Sequence, residues 1–176
     1  MKPWARGKSI FFREVSFGDA EFIVGLRTNP EKGKHLSETS TDIAKQESFI
    51  SRYSESLTDF YFVICDWKWN RIGTIRIYDV RGDSFCWGSW ILLKDAPRNA
   101  AIESALLIYD FAFLNLHYLK SHFDVRKDNE RVVEFHKRFG AEILAEDGLN
   151  YYFQYDIDSY MGVRQRYRRY LPQEVI

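Results

Sequence analysis

The sequence predicts an α/β domain built on a largely antiparallel sheet, on three observations. Phe60–Trp67, Ile72–Val80 and Phe85–Leu93 are β-rich runs joined by two short turns, Lys68–Arg71 and Arg81–Asp83, which is the pattern of a meander. The strand Ser84–Leu93 then passes through a short polar turn, Lys94–Ala101, into the long apolar segment Ala101–Leu116, and another strand follows at Tyr118–Lys127. Two amphipathic stripes precede the meander, Ala20, Phe22, Ile23, Leu26 and Ile43, Gln46, Phe49, Ile50, Tyr53, both at helical spacing. A chain of 176 residues with this alternation reads as one domain large enough to bury a core.

The elements follow in order. Residues 1–8 are polar and basic and are expected to be a flexible start. Ser9–Ser16 reads as the first strand, and Gly18-Asp19 supplies a turn and an N-cap for the helix that runs to the breaker Asn29-Pro30. Glu31–Thr41 is a polar loop, and Thr41 or Asp42 can cap the second helix, which ends at Leu57-Thr58-Asp59. After Tyr118–Lys127 a helix is expected over 129–139, with Gly140 as its C′ residue. Ala141–Leu144 and Tyr151–Ile157 read as a last strand pair joined across Asp147-Gly148. The domain proper is therefore 9–158. The tail, 159–176, carries Arg164, Arg166, Arg168 and Arg169. It reads as a solvated helix packing its tyrosines on the body, or as a contact surface for an acidic partner.

Composition narrows the function. The 25 basic and 25 acidic residues balance, so nothing at the level of the whole chain points to nucleic acid. Cys65 and Cys86 lack C-x-x-C spacing and read as buried free thiols. His117 and His122 make no metal-ligand spacing with other candidates, so no metal is expected. No 18-residue apolar run exists and the start MKPWARGKS has no signal-peptide core, so a cytoplasmic protein with no membrane partner is expected. Aromatic residues make up 17 %, enough for some of them to line a concave site besides the core.

The turn before the apolar helix carries the clearest chemistry. A strand feeding a helix aims backbone N–H groups at one point, which suits phosphate. Pro97 has no N–H, so the donors are those of Arg98, Asn99, Ala100, Ala101 and Ile102, and the Arg98 side chain adds a charge-assisted bond. Gly88 fits a bulge or a close backbone approach inside its strand. Asn129 can cap the helix that follows it. His136 has an imidazole able to shuttle protons near neutral pH, or is a half-buried helix residue. Tyr78 and Trp87, with Trp67, Trp69 and Trp90, offer faces to a sugar or nucleobase, or serve the core.

The order of elements from Ser84 to Gly140, the placement of Asn129 and the ending F-H-K-R-F-G-A resemble the GNAT superfamily of acetyl-CoA-dependent N-acetyltransferases. The resemblance covers Ser9 to Asp158 and is most specific from Ser84 to Ala141. It implies a mixed, mostly antiparallel central sheet with splayed middle strands, flanked by helices, with acetyl-CoA held in the splay. In the family the turn carries R/Q-x-x-G-x-G/A around the CoA pyrophosphate. Here a register starting at Arg98 puts Ala101 and Glu103 at the glycine positions. The preferred register, A-P-R-N-A-A from Ala96, puts Asn99 and Ala101 there, with Asn99 tolerating a positive φ. The resemblance further implies pantetheine contacts at Ile91, Leu92 and Leu93, an oxyanion-binding amide near Ile91, and a contact from Asn129. It makes His136, at the place where the family commonly keeps a tyrosine, the acid for the departing thiolate. Arg27, His35 and Glu38 would overhang the acceptor.

The segment Leu26–Ile50 and the W-G-S-W strand resemble the members that acetylate nucleotide-linked amino sugars in surface-polysaccharide pathways. The expected reaction is direct transfer to a primary amine by a monomer or homodimer. The alternatives are a ribosomal-protein-type N-terminal peptide acetyltransferase and a non-catalytic acyl-CoA-binding module.

Overall fold

The computed structural model describes residues 4–31 and 40–172. They form β1 (Ala5–Arg6), β2 (Ile10–Glu14), α1 (Ala20–Thr28), α2 (Ile43–Ser54), β3 (Phe60–Asp66), β4 (Arg71–Arg81) and β5 (Ser84–Leu92). The second half adds α3 (Ala100–Tyr109), β6 (Lys120–Arg126), α4 (Glu130–Arg138), β7 (Glu142–Glu146), β8 (Asn150–Asp156) and α5 (Ile157–Arg166). One sheet holds all eight strands in the order β1-β2-β3-β4-β5-β6-β8-β7. Every neighbouring pair is antiparallel except β5 and β6, which run parallel.

The strands β2 and β3 read as continuous apolar runs because both faces of the sheet are covered. Ile10, Phe12, Phe62 and Ile64 join the larger core, shared with α3, α4 and α5. Phe11, Tyr61, Val63 and Cys65 turn to the other face and meet Ile23 of α1 and Ile50 of α2. The helix α3 is apolar nearly all round, as a helix covered on several sides must be: Ala105, Leu106, Leu107, Ile108 and Tyr109 are all buried. The expected single helix over Ala101–Leu116 changes character near its end. Asp110–Asn115 is a wide π-type turn, and Leu116 N donates to Phe111 O at 3.0 Å, five residues back.

Parallel pairing of β5 with β6 is confined to two rungs, Ser84 with Lys120 and Phe85 with Ser121. Beyond them the strands part, while β5 continues to Leu92 and β6 to Arg126. This is the splay expected of the middle strands.

Two expectations at the chain ends are corrected. The stretch 4–8 is not loose: β1 pairs with β2, Trp4 N donates to Phe12 O at 2.8 Å, and the Trp4 ring packs on Phe60, Phe62 and Phe111. A three-aromatic seat outweighs the polar composition of its neighbours. The tail belongs to the domain as well. Tyr160 is fully buried, its hydroxyl reaching Asp110 Oδ1 at 2.5 Å and Leu106 O at 3.0 Å, and Val163 and Leu171 join the larger core.

A buried ion pair ties β2 to the start of α1. Arg13 Nη2 lies 2.6 Å from Asp19 Oδ1, and Nη1 lies 2.8 Å from Oδ2. Asp19 also accepts from Ser16 N and Oγ, both at 2.9 Å. Burial by itself would raise the Asp19 carboxyl, but the bonds from Arg13 and Ser16 outweigh it and hold the carboxyl below its ordinary value. We predict that Arg13→Met, which strands Asp19 with only Arg71 nearby at 3.4 Å, lowers stability by about 3 kcal/mol at pH 7 in denaturant titrations. A carboxyl with a depressed folded value stabilises above its unfolded value and loses that contribution as pH falls through the folded one. The cost of Arg13→Met should therefore shrink below about pH 4. An equal cost at pH 7 and pH 3 would show that the pair is not the source.

Candidate active site

The site is organised by an irregularity in β5. Thr74 pairs with Ile91 and Arg76 with Gly88, so Ser89 and Trp90 together face one residue of β4. Ser89 takes φ +49, an uncommon conformation for a residue with a side chain, and Thr74 Oγ1 donates to its carbonyl at 2.9 Å. Gly88 is needed for the close approach: a Cβ there would meet Tyr78 Oη at 2.8 Å. The bulge lies where β5 has already left β6.

On the α1–α2 side of this bulge is a cavity of about 520 Å³. Ser89, Arg76 and Tyr78 line it from the sheet, Arg27 from α1, and Lys45, Phe49 and Arg52 from α2. Arg27 Nη1 donates to Ser89 Oγ at 3.2 Å. Arg76 is wedged between rings, 4.9 Å from the Phe49 centroid and 5.0 Å from that of Tyr78, and pairs with Asp59. Burial pushes the Tyr78 phenol up, so it stays protonated at neutral pH. Four cationic side chains line the cavity, and none of its described lining residues is acidic.

The structure brings Arg27 and Tyr78 into the lining of one cavity. His35 and Glu38 lie outside the described residues. Trp87 is corrected: it is buried, and its indole N–H donates to Tyr109 Oη at 2.9 Å, so it belongs to the core on the far side of the sheet. Trp67 and Trp69 are separated from it, exposed and packed around Phe11. Lys45, Arg52, Arg76 and Ser89 were missed. A signal existed for three of them: Lys45, Phe49 and Arg52 share one face of a helix, and Arg76 shares a strand face with Tyr78.

The start of α3 has the geometry of an anion site. Ala100 N donates to Pro97 O at 2.8 Å and Glu103 N to Asn99 O at 2.9 Å, which leaves Ala101 and Ile102 among the first-turn amides outside the i→i−4 ladder. Arg98 and Asn99 are exposed beside them. Asn99 has φ −96, not the positive value expected, so this turn does not require the glycine it lacks. Glu103, the acidic residue of the first turn, points away: it is buried and accepts from Ser9 N at 2.8 Å and Ser9 Oγ at 2.6 Å.

Along the end of β5, Leu93 N donates to Ile72 O at 2.8 Å, and the Ile91 carbonyl sits where a Cβ on Gly73 would be only 2.2 Å away. Ile91 and Leu93 therefore face β4, and alternation turns Leu92 toward the splay. The amide expected near Ile91 to face a ligand is corrected accordingly. Asn129 sits at the N-cap of α4 without a side-chain capping bond, its carbonyl accepting from Val132 and Val133 N.

His136 is corrected most. It is 4 % exposed, in a box of rings, with centroids of Phe123 at 4.4 Å, Trp87 at 5.4 Å, and Phe135 and Phe153 at 5.7 Å. Burial pushes the imidazole down to about 3, and Nδ1 has no partner among the described residues. A group held neutral in this way is not a proton donor poised near pH 7. It packs α4 over the splay.

The unfolded chain protonates His136 near pH 6.5 and the folded chain only near pH 3, so this residue draws stability down as pH falls between those values. We predict that His136→Phe, which keeps the ring, removes that part of the pH dependence in melts between pH 7 and pH 4, and leaves the pH–rate profile in place. Loss of an ionisation near pH 6–7 from kcat in this variant would restore the catalytic role.

A family model for the acetyltransferase (GNAT) domain matches residues 9–142. Among solved structures the chain is similar to apo FdhC, described as a nucleotide-linked sugar GNAT, at 36 % identity and TM-score 0.88, over 96 % of this chain and 98 % of that one. The fold is also shared with spermidine N-acetyltransferase from Vibrio cholerae in complex with CoA and spermine, at 18 % identity and TM-score 0.76, over 87 % and 98 % of the two chains. A GCN5-related N-acetyltransferase from Brucella melitensis matches at 17 % identity and TM-score 0.79, over 97 % and 86 %. No curated protein matches by sequence. With the splayed β5–β6 pair, the bulge at Ser89 and the bare amides opening α3 already in place, these likenesses show that the chain belongs to the GNAT family of N-acetyltransferases.

Proposed function

We propose that the protein transfers the acetyl group of acetyl-CoA to the primary amine of a nucleotide-linked amino sugar. The observation that carries this reading is the charge of the cavity beside Ser89: Lys45 and Arg52 line it from α2, beside Arg27 and the Asp59-paired Arg76, with no acidic residue among the described lining. A nucleotide diphosphate brings negative charge that guanidinium groups bind in forked geometry. A polyamine would meet repulsion in the same place. The likeness to FdhC, itself described as a nucleotide-linked sugar GNAT, supports the same choice.

The chain's groups divide the work. The amides of Ala101 and Ile102, with Arg98, hold the pyrophosphate of the acetyl donor at the start of α3. The edge of β5 that faces the splay guides the pantetheine arm, with Asn129 across the gap. Acetyl-CoA supplies an activated thioester when bound. The cations of α1, α2 and β4 hold the nucleotide of the acceptor, and Tyr78 and Phe49 flank the sugar. This fixes an amine near the bulge, where proximity alone can contribute several kcal/mol.

Two predictions follow the two halves of the site. Asn99→Asp puts a carboxylate beside the amides that open α3, and should weaken CoA binding about tenfold, or ~1.4 kcal/mol. Calorimetry showing unchanged CoA affinity in the folded variant would move the pyrophosphate elsewhere. Lys45→Glu with Arg52→Glu reverses two exposed charges of α2, and should raise KM for a nucleotide-linked amino sugar at least tenfold with little change in kcat. Mass spectrometry across a panel of nucleotide amino sugars and N-terminal peptides decides the acceptor. Acetylated peptides with no acetylated sugar nucleotide would replace this reading with the peptide one.

A further inference from the structure

The acceptor cavity is not the largest on the molecule. A second one, of about 660 Å³, lies on the opposite face of the sheet, against α3 and α5. Its apolar wall is Leu107, Leu171 and Pro172, and its rim is Arg6 and Lys8 from the N-terminal segment with Arg168 and Arg169 after α5. Arg164 and Asp110 form the floor.

The charges of this cleft do not cancel. Asp110 is the one acidic residue among its described lining, and that carboxylate is already engaged. It accepts from Arg164 Nε at 2.7 Å and Nη2 at 3.2 Å, and its Oδ1 lies 2.5 Å from the Tyr160 hydroxyl. Arg6, Lys8, Arg168 and Arg169 remain as a surplus of positive charge, with no acidic partner for any of them among the described residues. Four like charges converging on one concavity raise its potential and concentrate anions there. The floor is built: Arg164 is locked by Asp110, which is locked in turn by the buried Tyr160.

The volume is that of a small-molecule pocket. Guanidinium groups take both phosphate and the face of a planar ring, and the Leu–Pro wall offers a base a dry surface. The helix-start anion site is elsewhere, since Leu107 lies seven residues past Ala100, about 10 Å along the axis of α3. The acceptor cavity is elsewhere too, because Tyr61 in its wall belongs to the core on the α1–α2 face.

We propose that this cleft is a second binding site, for a nucleoside phosphate distinct from the acetyl donor and from the acceptor. The site does not depend on which acceptor the enzyme uses. Its consequence is that the enzyme senses a nucleotide pool on the face of the sheet away from catalysis.

The test is calorimetry of the full chain, saturated with CoA so that the helix-start site is filled, titrated with ADP. Wild type should bind ADP saturably. Arg6→Glu with Arg168→Glu, two exposed positions whose reversal leaves the core untouched, should weaken ADP binding at least tenfold, and Arg168→Lys should retain it. Lys45→Glu with Arg52→Glu, in the acceptor cavity, should leave in place the ADP binding that the Arg6→Glu/Arg168→Glu reversal removes. Circular dichroism melts confirm that each variant is folded. The KM for acetyl-CoA should be the same in wild type and in the Arg6→Glu/Arg168→Glu protein. The proposal is overturned if wild type shows no saturable ADP binding, or if binding disappears with the α2 variants and persists with the cleft variants. A joint loss of ADP binding and rise in the acetyl-CoA KM would overturn it as well, by assigning the cleft to the co-substrate.

Discussion

The architecture depends on a pairing that stops early. The parallel contact of β5 with β6 lasts two rungs, and the candidate site is arranged around its end. Hydrogen-bonding groups on a strand that loses its neighbour must be met by something else. In this fold an extended arm of a ligand can meet them, which is β-strand addition carried out by a cofactor. The bulge at Ser89 falls in the separated part of β5, so the same strand turns one irregular residue toward the cavity on the α1–α2 side. A regular β5 would present neither feature.

The aromatic box around His136 explains how the separation is tolerated. Trp87 comes from β5, Phe123 from β6, Phe153 from β8 and His136 from α4. These rings fill one side of the gap with dry, close-packed surface, so the strands can part without flooding the core. The α1–α2 side of the sheet carries Arg27, Lys45, Arg52 and Arg76. The protein is neutral as a whole, with 25 charges of each sign, yet the described linings of both cavities are rich in basic side chains. Net charge hid this, because it averages over patches that a substrate meets one at a time.

Much of the fold was legible in the sequence. The meander, the buried α3 and the two early helices carry strong periodic signals, and turn residues mark their ends. The long-range contacts were not legible. Nothing local in Trp4 says that it seats on Phe60, Phe62 and Phe111, and the tyrosines of the tail suggested packing on the body but not that Tyr160 reaches Asp110 and Leu106. His136 shows the same limit for the site: its spacing from Asn129 suggested chemistry, whereas its function in the fold is set by rings from three strands distant in sequence. Asn99 shows the converse. The glycine pattern it interrupts exists for a backbone conformation that this turn does not adopt.

The wrapping of α3 has a consequence for how the chain is made. This helix is buried by the sheet on one side, and on another by α5, whose Tyr160 reaches Leu106 from 54 positions further along. Translation at ~5–20 residues per second delivers that partner roughly 3–11 s after the helix has emerged. For that interval the outer face of α3 has no cover from its own chain. Transiently exposed apolar surface of this kind is what makes a nascent chain prone to aggregate.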